Sequence, residues 1–127
     1  IRPRDWSSDV CSSDLVAEYI IEELCRIPVE VEYASEFRYR NPIITEKDVV
    51  IAISTSGKSK NVLDGIVVSR KKGACIIGLT GSKGLTMRKF VDVLLVIPST
   101  STARIQEGHR TTIHAICELV EENFKKS

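Results

Sequence analysis

Ser54, Thr55, Ser56 and Ser59 place four hydroxyls within six residues, with Gly57 among them, where an apolar run gives way to a helical pattern. Hydroxyls donate to anionic oxygens, and a glycine lets the backbone approach a ligand closely. A helix that starts just afterwards adds unpaired N–H groups and the positive end of its dipole. The group that suits this combination is a phosphate monoester. Helix capping is the competing reading, since Ser and Thr are favoured at that position in any protein. One cap, however, needs one hydroxyl. A nucleoside-triphosphate loop fits less well, because the Walker pattern needs a glycine where this chain has Ala52, and only its second half is matched, by Gly57-Lys58-Ser59.

A second cluster of chemistry lies near the C-terminus, where Arg104, Gln106, Glu107, His109, Arg110 and His114 crowd the first half of a helical pattern. Gln106, Arg110 and His114 step by four and so fall along one face. His114, set among Ile113, Ala115 and Ile116, is expected to be half buried. There an imidazole must find a partner and can act as general base, general acid or metal ligand; a hydrogen-bonded core histidine is the alternative. His109 fits either a surface or a functional role. Ser99 and Thr100, in the run Ser99-Thr100-Ser101-Thr102, read equally as a helix cap or as the second wall of the ligand site.

The elements that position these groups follow from periodicity. Val49–Ile53 is a short β-branched run suited to a strand buried on both faces of a parallel sheet. Residues 60–72 form a helix with Val62, Leu63, Ile66 and Val67 inward, closed by Gly73 as a left-handed cap. Residues 74–79 are the next strand, 80–84 a glycine-rich turn, 85–90 a short helical turn, 91–97 a strand closed by Pro98, and 103–124 a long helix. Upstream, residues 16–26 read as an amphipathic helix stopped by Pro28, residues 29–33 as a strand, 34–40 as a short helix and Asn41-Pro42 as a turn. Strands separated by helices imply right-handed βαβ units, hence an α/β, three-layer αβα sandwich on a mostly parallel, flavodoxin-like sheet. Ligands of such sheets sit at the strands' carboxyl ends, where residues 54–59 and 99–102 both fall.

Composition narrows the class of function. A chain of 127 residues has room for one domain, and a net charge of +1 gives no field for nucleic acid or a membrane surface. No apolar stretch approaches the roughly 18 to 20 residues that span a bilayer. Cys11, Cys25, Cys75 and Cys117 lack metal-ligand spacing, and Cys75 and Cys117 sit in apolar runs as small hydrophobes, so a soluble protein of the reducing cytoplasm is expected.

The block from Ala52 to Gly57, together with Pro98-Ser99-Thr100, the run Ala103-Arg104-Ile105-Gln106-Glu107-Gly108-His109 and His114, resembles the sugar isomerase (SIS) domain. From Ile53 onward the chain is similar to the phosphoheptose (sedoheptulose-7-phosphate) isomerases, and from Val16 to Ile53 to the first SIS domain of glucosamine-fructose-6-phosphate aminotransferases. The change falls inside an Ile-Ser-x-Ser-Gly block common to both, as expected either of two joined genes or of mixed ancestry. Residues 1–15, with Ser-Ser-Asp twice, resemble translated sequencing-adapter DNA, so they are expected to be a non-native tail before a partial SIS domain at 16–127 that lacks the fold's first strand.

The resemblance implies an aldose–ketose sugar-phosphate isomerase in which Ser54, Thr55, Ser56, Gly57 and Ser59 hold the phosphate. It implies that Gln106 and His114 face a zinc site and that His114 moves the proton. The isomerases carry a further His and Glu on the helix matching residues 16–24, and this chain has no His there. Two other readings therefore stand beside it: a non-catalytic module that senses phosphosugars, and a truncated aminotransferase isomerase domain. SIS domains assemble through helices, so the resemblance also implies a homo-oligomer, a dimer or tetramer.

Overall fold

The computed structural model describes residues 43–126 together with residues 22 and 23. The expected tail, the strand at 29–33, the helix at 34–40 and the turn at 41–42 lie outside the described residues, as does the helix at 16–26 except for Glu22 and Glu23. Those two are helical and exposed.

Among the described residues, three parallel strands form a sheet in the order β1 (Val49–Ile53), β2 (Cys75–Gly81), β3 (Val93–Ile97). Helix α1 (Lys60–Lys71) joins β1 to β2, and a 3₁₀ segment (Ser82–Lys89), kinked at Gly84, joins β2 to β3. Helix α2 (Thr102–Lys125) follows β3. The chain divides into a unit of Ala34–His109, which holds the sheet and the start of α2, and a unit of Ile1–Tyr33 with Arg110–Ser127.

Val62, Leu63 and Ile66 recur at helical spacing, and α1 lays them on one face of the sheet against Ala52, Ile76, Met87, Val91 and Leu94. Full burial of Ile66, Ile76 and Met87 makes this the organising core, each such side chain stabilising the fold by about 1.5–3 kcal/mol. Gly73, at φ +83°, ends α1 in the left-handed conformation that its position in the sequence implies, and its N–H bonds the Arg70 carbonyl at 3.1 Å.

The opposite face of the sheet is graded. At its carboxyl end the first turns of α2 close down so far that a Cβ on Gly81 would stand 2.3 Å from Ile105 Cδ1, and one on Gly108 2.8 Å from Ile97 Cδ1. At its amino end Val49, Ile51, Cys75, Val93 and Leu95 are exposed, Val49 at 60%. The expectation that β1 is buried on both faces is thus corrected: Ala52 is covered by α1, whereas Val49 and Ile51 on the other side are open. Cys75 likewise does not behave as a buried hydrophobe, unlike Cys117, and neither is in a disulfide.

Strand ends shift for physical reasons. β2 runs on through Thr80 and Gly81, read from sequence as a turn, because Thr80 and Gly81 pair with Val96 and Ile97. β3 begins two residues later than expected because Asp92 turns its carboxylate back to accept the Ile76 N–H at 2.8 Å.

Candidate functional site

Because β1, β2 and β3 are parallel, the loops that follow them meet on one edge of the sheet, and main-chain bonds tie them together. Gly81 N–H donates to the Thr55 carbonyl at 3.1 Å, and Ser82 N–H donates to the Ser99 carbonyl at 3.1 Å. The rim expected from sequence therefore exists, with residues 54–59 and 99–100 both on it.

The loop after β1 is shaped by its own polar groups. Ser54 is buried, and its Oγ accepts the Gly57 N–H at 3.1 Å while its carbonyl lies 3.2 Å from the same N–H. The hydroxyl keeps its proton to donate. Gly57 stands at φ +65°, and a Cβ there would lie 2.4 Å from Gly84 Cα, so only glycine fits. Ser56 is exposed and accepts the Lys58 N–H at 3.2 Å, while Thr55 and Ser59 are half-buried. Ser59 occupies the N-cap of α1 but makes no side-chain cap hydrogen bond. Capping thus does not use the cluster. The first-turn N–H groups of α1 point past it, and no acidic side chain sits in that turn to repel an anion.

The two wall residues divide. Ser99 Oγ accepts the Ser101 N–H at 3.1 Å, and the Ser101 carbonyl accepts the Ile105 N–H at 3.0 Å, so Ser99 organises the start of α2. Thr100 is exposed.

On α2 the buried and exposed stripes are one residue out of step with the expectation. Ile105, His109, Ile113 and Cys117 form the buried stripe, His109 at 3% exposure, whereas Gln106, Arg110 and His114 form an exposed one. The half-buried position expected for His114 is therefore corrected: its neighbours Ile113 and Cys117 carry the burial and His114 faces out. His109 is the histidine inside.

Sequence reasoning gave no site role to Thr80, Gly81 and Gly84. Thr80 is fully buried under the rim, and a Cβ on Gly84 would lie 1.8 Å from its Oγ1. The signal was present as a polar residue and two glycines ending an apolar strand.

The family model described as SIS domain matches residues 14–121. The chain belongs to the SIS-domain family. A phosphoheptose isomerase of Geobacter sulfurreducens is 51% identical over 79 residues, covering 62% of this chain and 42% of that protein. A glutamine–fructose-6-phosphate aminotransferase (isomerizing) of Chlorobaculum tepidum is 52% identical over 73 residues, covering 58% of this chain and 12% of that one. The solved phosphoheptose isomerase of Francisella tularensis superposes with a TM-score of 0.73 at 23% identity over 89% of this chain and 72% of that one, which shows the shared fold. The chain spans about two fifths of the length of the curated phosphoheptose isomerase it matches.

In this SIS domain the described donor set does not by itself fit a catalytic zinc ion. Such a site takes three protein ligands, Gln106 and His114 would give two, and no group of three or more His, Cys, Asp or Glu that could hold a metal occurs among the described residues. No described helix is long and apolar enough to cross a membrane.

Proposed function

We propose that this SIS domain binds a sugar phosphate and is of the aldose–ketose isomerase type, specifically the phosphoheptose isomerase kind. The observation that supports this most is the loop at 54–59: glycine-turned, hydroxyl-rich, and set on an uncapped helix N-terminus at the carboxyl edge of the sheet. Thr55, Ser56 and Ser59 would donate to the phosphate oxygens, and Ser54, committed as an acceptor to Gly57, would hold the turn and offer its remaining proton. Binding there anchors the substrate away from its reacting carbons, the use of remote binding energy that favours catalysis.

The chemistry consistent with this reading is a 1,2 proton shift through an enediol. His114, exposed on α2, would move the proton, with Gln106 on the same exposed stripe polarising or positioning the substrate. The chain would act in the cytoplasm as a dimer or tetramer, with exposed Leu119 and Phe124 in the contact. Neither a nucleic acid nor a membrane is a partner in this reading.

One feature favours a second reading, a phosphosugar-sensing module without catalysis: residues 16–24 carry no His, where the resemblance to the isomerases implies one. Calorimetric titration with sedoheptulose 7-phosphate and fructose 6-phosphate, paired with an isomerisation assay, decides between the two. Binding with turnover supports the isomerase, binding without turnover supports the sensor, and absence of both sinks the sugar-phosphate reading. Ser56→Ala should weaken binding by about tenfold, the effect of one lost charge-assisted hydrogen bond.

A further inference from the structure

Thr80 carries a hydroxyl that the resting fold leaves unused. The residue is 0% exposed, and among the described residues its Oγ1 has no hydrogen-bond partner. Buried polar groups almost always have one, and an exception at the edge of a ligand site calls for a physical reason.

Its place in the fold supplies that reason. Oγ1 sits between two glycines of different loops: a Cβ on Gly57 would stand 3.0 Å from it and a Cβ on Gly84 1.8 Å. Both backbones lie against the hydroxyl because neither has a side chain. Gly57 is the turning point of the loop after β1, and Gly84 is the kink of the 3₁₀ segment after β2. A single hydroxyl therefore lies beneath the junction of the two loops that border the proposed phosphate position. With no exposure, Thr80 cannot reach a ligand itself. It can donate to a backbone carbonyl of either glycine turn once a small rotation of the peptide brings that oxygen round.

We infer that Thr80 is a positioning residue for the phosphate loop, its hydroxyl gaining a hydrogen bond to the Gly57 or Gly84 backbone only when the loop holds a phosphate group. The inference rests on the sugar-phosphate reading above. It adds a reason for the loop to close: the bond missing in the free protein is completed in the bound one, so the ligand selects the loop conformation by a difference in interaction between two states.

Thr80→Ser and Thr80→Ala test this, because both lose the methyl group and differ only in the hydroxyl. Thermal unfolding and calorimetry are run on each and on the wild type, with and without sedoheptulose 7-phosphate. Without ligand the alanine variant should melt at or above the serine variant, since the unpartnered hydroxyl contributes nothing there. With ligand the serine variant should keep wild-type affinity within about twofold, while the alanine variant falls by about tenfold, the worth of one hydrogen bond. A role in packing alone would leave the two variants binding alike. A hydroxyl already partnered in the free protein would make alanine less stable than serine by the same amount in both conditions. Either result overturns the inference. If neither variant folds, the wild-type Thr80 hydroxyl proton is followed by NMR: a slowly exchanging signal that appears only with ligand supports the inference, and one that is unchanged overturns it. A wild-type protein that binds no sugar phosphate would fail at the earlier reading, and this inference would fall with it.

Discussion

Asp92 Oδ2 accepts the backbone N–H of Ile76 at 2.8 Å, while its other oxygen lies 3.3 Å from Arg70 Nη1. One carboxylate thus joins the start of β3, the second residue of β2 and the last turn of α1. The Ile76 N–H lowers the Asp92 pKa below its ordinary 3.8; partial desolvation works against this, and Arg70 adds to the lowering. A carboxyl with a depressed folded pKa contributes stability that is present above the unfolded value and is lost as pH falls through the folded one. Asp92→Ala should therefore lower the urea midpoint at pH 7 and at pH 5, and the gap to wild type should begin to narrow as pH falls below 3.8 and go on narrowing through the lower folded pKa. A gap that persisted unchanged at pH 3 would show that the charge is not involved.

Gly57→Ala should be among the most damaging single-atom additions in the sheet unit. It places a Cβ at φ +65° and 2.4 Å from Gly84 Cα, where backbone meets backbone and neither can rotate away. A loss of about 2 kcal/mol or more is expected from the conformation and the overlap together. Gly73→Ala shares only the positive φ, since its nearest neighbour would be Glu46 Cβ at 3.2 Å, and should cost about 1 kcal/mol. Denaturant titration of both variants checks the order.

Gly108→Ala sets helix propensity against packing. Alanine favours a helix interior by about 1 kcal/mol over glycine. Here its Cβ would meet Ile97 Cδ1 at 2.8 Å and Cγ1 and Cγ2 at 2.9 Å, and packing should win. Replacing Ile97 by Ala as well should recover about 1 kcal/mol relative to the sum of the two single effects, a coupling that a double-mutant cycle reads directly.

His109 and His114 should separate stability from function. His109→Ala empties a position that is 3% exposed and should destabilise by about 2 kcal/mol or more. His114→Ala, at an exposed position, should change stability by no more than about 0.5 kcal/mol while removing isomerisation, if the proposed proton transfer is right. Equal loss of stability in the two variants would contradict the stripe assignment on α2.

The residues that were legible from sequence are those whose role depends on local pattern. The β-branched run at Val49–Ile53 and the hydroxyl-rich turn after it were found with their bounds intact, as was the left-handed Gly73. What local pattern could not supply was pairing and rotation. Gly81 looks like a breaker until Ile97 is known to lie beside it. His109 and His114 each sit near apolar residues, and a four-residue step describes the stripes through Ile105 and Gln106 equally well. Only packing of Ile105 against the Gly81 position distinguishes them. Thr80 escaped notice because a lone threonine ending an apolar run is unremarkable until its burial and lack of a partner are visible.

The bonds that hold the rim together, from Gly81 to Thr55 and from Ser82 to Ser99, run from main chain to main chain. Their geometry does not depend on which side chains those positions carry, glycine at 57, 81 and 84 excepted. Side chains at 55, 82, 83 and 100 can accordingly be exchanged while the frame beneath them stays put. The same scaffold can be retuned, by natural drift or in a combinatorial library, to a different anionic ligand one substitution at a time, without passing through an unfolded intermediate sequence.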